Sequence, residues 1–260
     1  MSRRNFIRWE DFEPDNVTFC LGTDRSNKAV ISMIYGAQQE VAMVTPACVT
    51  NWPRVTGDGN FGTMWGPTDI HKAKFSLDLT DGYINSAENV LFTKFAAMME
   101  KIDDKLLEFV QNNQLKILGR KNLTHEEVKM LQIRTVRPKY DKQTGALNGY
   151  SVQMTTQKYA WDGIGGKYAR RINICNPNGD VIENGNVSPG DVVAATTYAN
   201  QVYTGVGGDK FGIHWSFEDV AVICQRAKLE MKTSVPCFGV TQYDFARPYE
   251  HFDVADQFSD

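Results

Sequence analysis

Apolar and polar residues alternate along Lys72–Leu79: Ala73, Phe75, Leu77 and Leu79 take one side, and Lys72, Lys74, Ser76 and Asp78 the other. A period of two predicts a half-buried strand with a basic outer edge. The period then changes. Leu91, Phe95, Met98, Ile102, Leu106 and Phe109 recur at spacings of three and four, with Lys101, Asp103, Asp104, Lys105 and Glu108 on the opposite side. That pattern predicts a long amphipathic helix over about 86–112. Thr124 and Glu127 stand in capping-box relation and open a second, shorter helix ending near Leu131.

After Gly149 the period of two returns, with Tyr150, Val152 and Met154 on the core side. Strands are predicted upstream at Lys28–Tyr35 and Glu40–Ala47, and downstream at Arg170–Cys175, Asp191–Tyr203 and Lys210–Cys224. The last of these changes phase: Phe211, Ile213, Trp215 and Phe217 share one parity, and Val220, Val222 and Cys224 the other. A parity switch inside one strand places a bulge near Glu218–Asp219, and such bends let a small sheet curl into a barrel. Residues 51–69 are dense in Gly, Pro, Asn and Asp and read as a loop that carries Trp52, Phe61 and Trp65. Strands, a helical insertion, then strands again make an α+β order. The expected architecture is an OB-like five-stranded β-barrel core with an inserted pair of amphipathic helices at about 86–131. It forms one domain over 1–243, followed by a mildly acidic C-terminal tail over 244–260.

Composition narrows the function more than it fixes it. A chain of 260 residues at 42% hydrophobic and 23% charged can bury a substantial core. The net charge of −3 leaves nucleic-acid binding to a local basic patch. Five cysteines, none at Cys-x-x-Cys spacing, predict reduced thiols in an intracellular, reducing compartment. No run approaches the ~18 apolar residues of a membrane span. The four histidines are scattered, so neither a metal nor a cofactor is expected. Gly163–Tyr168 lacks the leading glycine and the Ser or Thr of a phosphate loop. The paired acids Asp103–Asp104 and Glu126–Glu127 read as a solvated helix face or a cap. No catalytic constellation is visible, and the chain is not expected to be an enzyme.

One segment stands out. Between Arg134 and Arg171 lie eight basic residues, Arg134, Arg137, Lys139, Lys142, Lys158, Lys167, Arg170 and Arg171, against two acids, Asp141 and Asp162. Tyr140, Tyr150, Tyr159, Trp161 and Tyr168 are interleaved with them. Single-stranded nucleic acid calls for this mixture, because cations follow the phosphates and flat rings stack on unpaired bases. Tyr150 belongs to the core face of its strand, and Trp215, beside Phe211 and Ile213, is read as core too. The candidate nucleic-acid-binding set is Lys72, Lys74, Lys139, Lys158, Tyr159, Trp161, Lys167, Arg170 and Arg171, with Trp161 placed in a Gly-rich loop.

Several stretches, taken in order, resemble the single-stranded-DNA-binding proteins of nucleocytoplasmic large DNA viruses. They are Val44-Thr45-Pro46 at a strand end, Lys74–Leu79 leading into the helix, Ile117–Lys121 before the short helix, Val136-Arg137-Pro138, and Lys210–Trp215 opening the last apolar strand. The resemblance runs from about Lys28 to Arg226. It implies an OB-fold core like that of phage single-stranded-DNA-binding proteins, no catalysis, and sequence-independent binding of single-stranded DNA in replication, recombination or repair. It also implies a viral replication site in host cytoplasm or nucleus. The acidic, aromatic tail is a candidate contact for replication proteins, and self-association is compatible with the sequence. The competing reading is a non-enzymatic structural or interaction protein of a large DNA virus, with the aromatic segment Trp52–Trp65 as its interface.

Overall fold

In chain order the strands are β1 (Ile7–Arg8), β2 (Val17–Thr23), β3 (Ala29–Tyr35), β4 (Ala42–Val44), β5 (Cys48–Trp52), β6 (Arg54–Thr56), β7 (Phe61–Thr63), β8 (Gly66–Thr68) and β9 (Lys74–Asp78). Helices α1 (Val90–Asn112), α2 (Gln114–Leu118) and α3 (His125–Leu131) follow. The chain then returns to strands: β10 (Gln132–Ile133), β11 (Val136–Tyr140), β12 (Leu147–Thr156), β13 (Ala160–Trp161), β14 (Lys167–Tyr168), β15 (Asn173–Cys175), β16 (Asn186–Val187), β17 (Val192–Thr204) and β18 (Phe211–Cys224). This computed structural model describes residues 6–25, 28–37, 40–52, 54–56, 61–63, 66–68, 74–79, 90–156, 160–161, 167–168, 173–182, 186–187, 190–205 and 208–224. The fold is mixed helix and sheet, rich in strands with few helices.

The long β17–β18 ladder is the spine of the main sheet. On its other side β17 pairs with β3, β4 and β5. β5 pairs with β9, β9 with β12, and β12 runs parallel to β18. The pairings β5–β9–β12–β18–β17–β5 therefore return to their starting strand. β11 adds to the outer edge of β12, and β10 and β15 run parallel to β18. A separate ladder joins β16, β6, β7 and β8.

The parity switch in β18 is a bulge at the expected place. Ala195 pairs with Val220 but Thr197 with Phe217, so Glu218 and Asp219 together oppose Thr196. The buried Thr196 hydroxyl accepts from the Asp219 amide at 2.9 Å and contacts the Asp219 carbonyl at 3.4 Å. A side chain thus serves the backbone that the bulge takes out of the ladder. Thr196→Val keeps the volume and removes the acceptor. It is expected to cost about 1–3 kcal/mol, read as a lower urea midpoint at unchanged slope.

Helix α1 lays its apolar face over the sheet. Phe92, Phe95, Met99, Ile102, Leu106 and Val110 are buried, at the spacings of three and four that the sequence shows. Phe95 meets Trp9 edge-on at 5.7 Å between ring centroids, and Phe109 meets Phe19 at 5.9 Å. Each fully buried large apolar side chain contributes about 1.5–3 kcal/mol. On the outer face Lys101 bonds Asp15 at 2.7 Å, and Lys105 caps the carbonyls of Pro14 and Asp15. The Thr124–Glu127 capping box forms with both bonds present and starts α3. Trp215 is buried as expected, and Tyr150 packs against the core.

Three expectations are corrected. Residues 51–69 are not a plain loop, since they contain the end of β5 and the short strands β6, β7 and β8. Strands of three residues leave too few alternations for a period to emerge between glycines. Trp161 lies on a strand, β13, rather than in a loop. Asp103 does not share the solvated face of α1 with Asp104: it is fully buried. At 100° per residue it adjoins Ile102, and it points at donors that a helical wheel cannot show. The expected helix start near Ser86, the domain boundary at 243 and the tail over 244–260 lie outside the described residues.

Candidate nucleic-acid interface

Three adjacent strands, β9, β12 and β11, carry much of the basic, polar sequence. Leu77, Val152 and Val136 form one cross-strand row, and all three are buried. The neighbouring row, on the opposite face by alternation, is Asp78, Ser151 and Arg137, with Arg137 exposed. Next along β11 come Lys139, opposite Gly149, and Tyr140, which is 62% exposed. Further along β9 the register sets Lys74 opposite Thr155 and Ser76 opposite Gln153.

Lys139 does not stand free on this face. Its Nζ donates to Asp78 Oδ2 at 2.6 Å, across the intervening strand β12. Backbones two strands apart are about 9–10 Å distant, so both side chains must reach over β12. Gly149, directly opposite Lys139, has no side chain to block that path. The Lys139 side chain remains 41% exposed while that of Asp78 is 14% exposed. The other Asp78 oxygen, Oδ1, is buried without a hydrogen-bond partner. One of the expected phosphate contacts is therefore already engaged with a carboxylate.

The second grouping is the two-stranded ladder β13–β14, in which Trp161 pairs with Lys167 and Ala160 with Tyr168. The fold thus brings an expected stacking residue and an expected cation into direct cross-strand register, six positions apart in sequence. Lys72, Lys158, Tyr159, Arg170 and Arg171 lie outside the described residues. Arg137 and Tyr140 belong to the basic segment but not to the candidate set, and the structure exposes both. The signal for them was available: each sits on the outward parity of β11 or at its end.

Among the described residues no cluster of His, Cys, Asp and Glu could hold a metal. Cys20, Cys48 and Cys175 are free thiols. Burial pushes the Cys48 thiol well above its ordinary range, with the Asp78 charge adding to the effect. Burial likewise pushes Cys175 up to about 11. Neither is suited to act as a thiolate. No described helix is long and apolar enough to cross a membrane.

No family model and no curated protein matches the chain. Solved structures do. One is gp2.5, a single-stranded DNA binding protein encoded by bacteriophage T7, at 8% identity and a TM-score of 0.47, with 80% of this chain and 94% of that one covered. Another is the single-stranded DNA-binding protein from bacteriophage Enc34 in complex with ssDNA, at 9% identity and a TM-score of 0.37, covering 80% and 96%.

Proposed function

We propose that this protein binds single-stranded DNA without sequence preference, through a basic face with aromatic stacking. The observation that carries the reading is the segment Arg134–Arg171, with eight basic residues against two acids and five interleaved aromatics. It supplies β11 and β12 of the main sheet and the β13–β14 ladder that pairs Trp161 with Lys167. Cations on such a surface follow the sugar–phosphate chain, and rings beside them stack on whichever base is presented. An OB-type barrel is the architecture we assign to the five-strand circuit. In support, β12 runs parallel to β18 while every other pairing of the circuit is antiparallel. The ordered sequence resemblance suggests that the setting is replication, recombination or repair of a large DNA virus.

The test is titration of fluorescent poly-dT beside matched duplex DNA at low salt. Tight binding to the single strand and weak binding to the duplex support the reading. Trp161→Ala is then expected to weaken single-strand binding about 5- to 150-fold, the value of one stacked base. No binding of poly-dT at low salt overturns the reading.

A further inference from the structure

The β17–β18 spine carries a half-buried tyrosine that the basic segment does not include. Tyr203 pairs with Gly212 across the ladder, and Gly212 pairs on its other side with Ile133 of β10. Their neighbours Val202, Phe211 and Ile213 are buried, so Tyr203 and Gly212 belong to the outer face. A Cβ added at Gly212 would lie 3.1 Å from both Cε1 and the hydroxyl of Tyr203, and 2.7 Å from the Ile133 carbonyl oxygen. The phenol end of the ring therefore lies across the bare backbone of Gly212. The residue as a whole is half-buried and lies on the outer face.

An exposed cation follows the strand that flanks Gly212. Arg137, four residues beyond Ile133 in the chain, is exposed. Burial raises the Tyr203 phenol pKa; the Arg137 charge opposes that rise and the Asp103 charge adds to it. Arg137 also lies in the outward row with Ser151 and Asp78, two residues from Lys139 on β11. A flat ring set on a glycine, with an exposed guanidinium on the strand that follows the flanking β10, matches what one nucleotide of an unpaired strand requires: a surface for its base and a donor for its phosphate.

We propose that Tyr203, seated on Gly212, is a stacking platform for one base of a single strand, and that Arg137 takes the adjacent phosphate. This rests on the single-strand-binding reading and extends its path from β11 onto the β17–β18 spine. A ring covering a strand glycine can also serve the sheet alone, so the test needs a readout that a packing role would not move.

Oligo-dT carrying 5-iodouracil, photo-crosslinked to the unaltered protein and mapped by mass spectrometry, is expected to label Tyr203. In titrations, Tyr203→Ala is expected to weaken binding about 5- to 150-fold with an unchanged salt slope, and Tyr203→Phe to bind as the parent does. Arg137→Gln is expected to make the salt slope shallower by about 0.7, the share of one phosphate on a single strand. If the parent binds oligo-dT but crosslinks map only elsewhere and Tyr203→Ala binds normally, the platform is wrong and the broader reading stands. If the parent does not bind oligo-dT, both fail together.

Discussion

Replacing Asp103 by alanine is expected to destabilise the protein by about 2–6 kcal/mol at pH 5, since two buried donors lose their acceptor at once. The donors are the Thr135 amide, at 2.7 Å from Oδ2, and the Thr135 hydroxyl, at 2.9 Å from Oδ1. The same hydroxyl accepts from the Trp215 indole at 3.1 Å, and Gln132 donates to the Asp103 carbonyl at 2.6 Å. One carboxyl thus ties α1 to the β10–β11 connection and, through Thr135, to β18. Burial pushes that carboxyl from 3.8 up to about 6, against the pull of the Thr135 bonds and of Arg134, which itself bonds Asp104.

The sign of the pH effect follows from this. A carboxyl whose folded pKa is raised holds its proton longer in the native state than in the unfolded chain. Its contribution is full below about 4 and is lost as pH rises through about 6. The distance from 3.8 to about 6 corresponds to about 3 kcal/mol. About half of that is already lost by pH 5, so the penalty of Asp103→Ala should be about 1.4 kcal/mol smaller at pH 8 than at pH 5. Asp103→Asn should remove the Asp103 share of the slope between pH 4 and 6. Urea unfolding at the two pH values checks both. Equal penalties at pH 5 and pH 8 would show that the carboxyl is ionised throughout.

Asp103 also marks where sequence reasoning reaches its limit. The helix was legible because its six apolar landmarks repeat at helical spacing, and the bulge because the change of parity is written into β18. Those are local periodicities, and local periodicity survives in a one-dimensional string. Helical spacing alone sets Asp103 with Met99, Leu106 and Val110 and Asp104 off that face, but the string does not show what makes burial of a carboxyl tolerable. That is Thr135, 32 residues away, which supplies the donors. Lys139 poses the same difficulty. It reads as a free cation until the register of β9, β12 and β11 sets Asp78 within reach over Gly149. The short strands β6 to β8 were missed for another reason, since three-residue strands carry no period. Tyr203 and Gly212 lay inside or beside expected strands, but only their pairing reveals that one covers the other.

The Lys139–Asp78 pair decides how steeply binding should depend on salt. The candidate set holds seven cations: Lys72, Lys74, Lys139, Lys158, Lys167, Arg170 and Arg171. With about 0.7 counterion released per phosphate contact on a single strand, seven contacts give a slope near −5, or roughly a 1,000-fold loss between 50 and 200 mM salt. If Lys139 stays with Asp78, six contacts remain, the slope falls to about −4, and the loss is roughly 300-fold. The expected result for the unaltered protein is the second, steepened by about 0.7 by the phosphate contact inferred above for Arg137. Asp78→Asn releases Lys139 and removes a negative charge from the same face. It should steepen the slope by about 0.7 and tighten binding about 5-fold at 0.1 M salt. A parent slope shallower than about −2 would mean that most of these cations are off the path of the strand. A normal slope that Asp78→Asn leaves unchanged would remove Lys139 from the interface while keeping the rest, and would place the strand nearer β13–β14 than the β9–β12–β11 face.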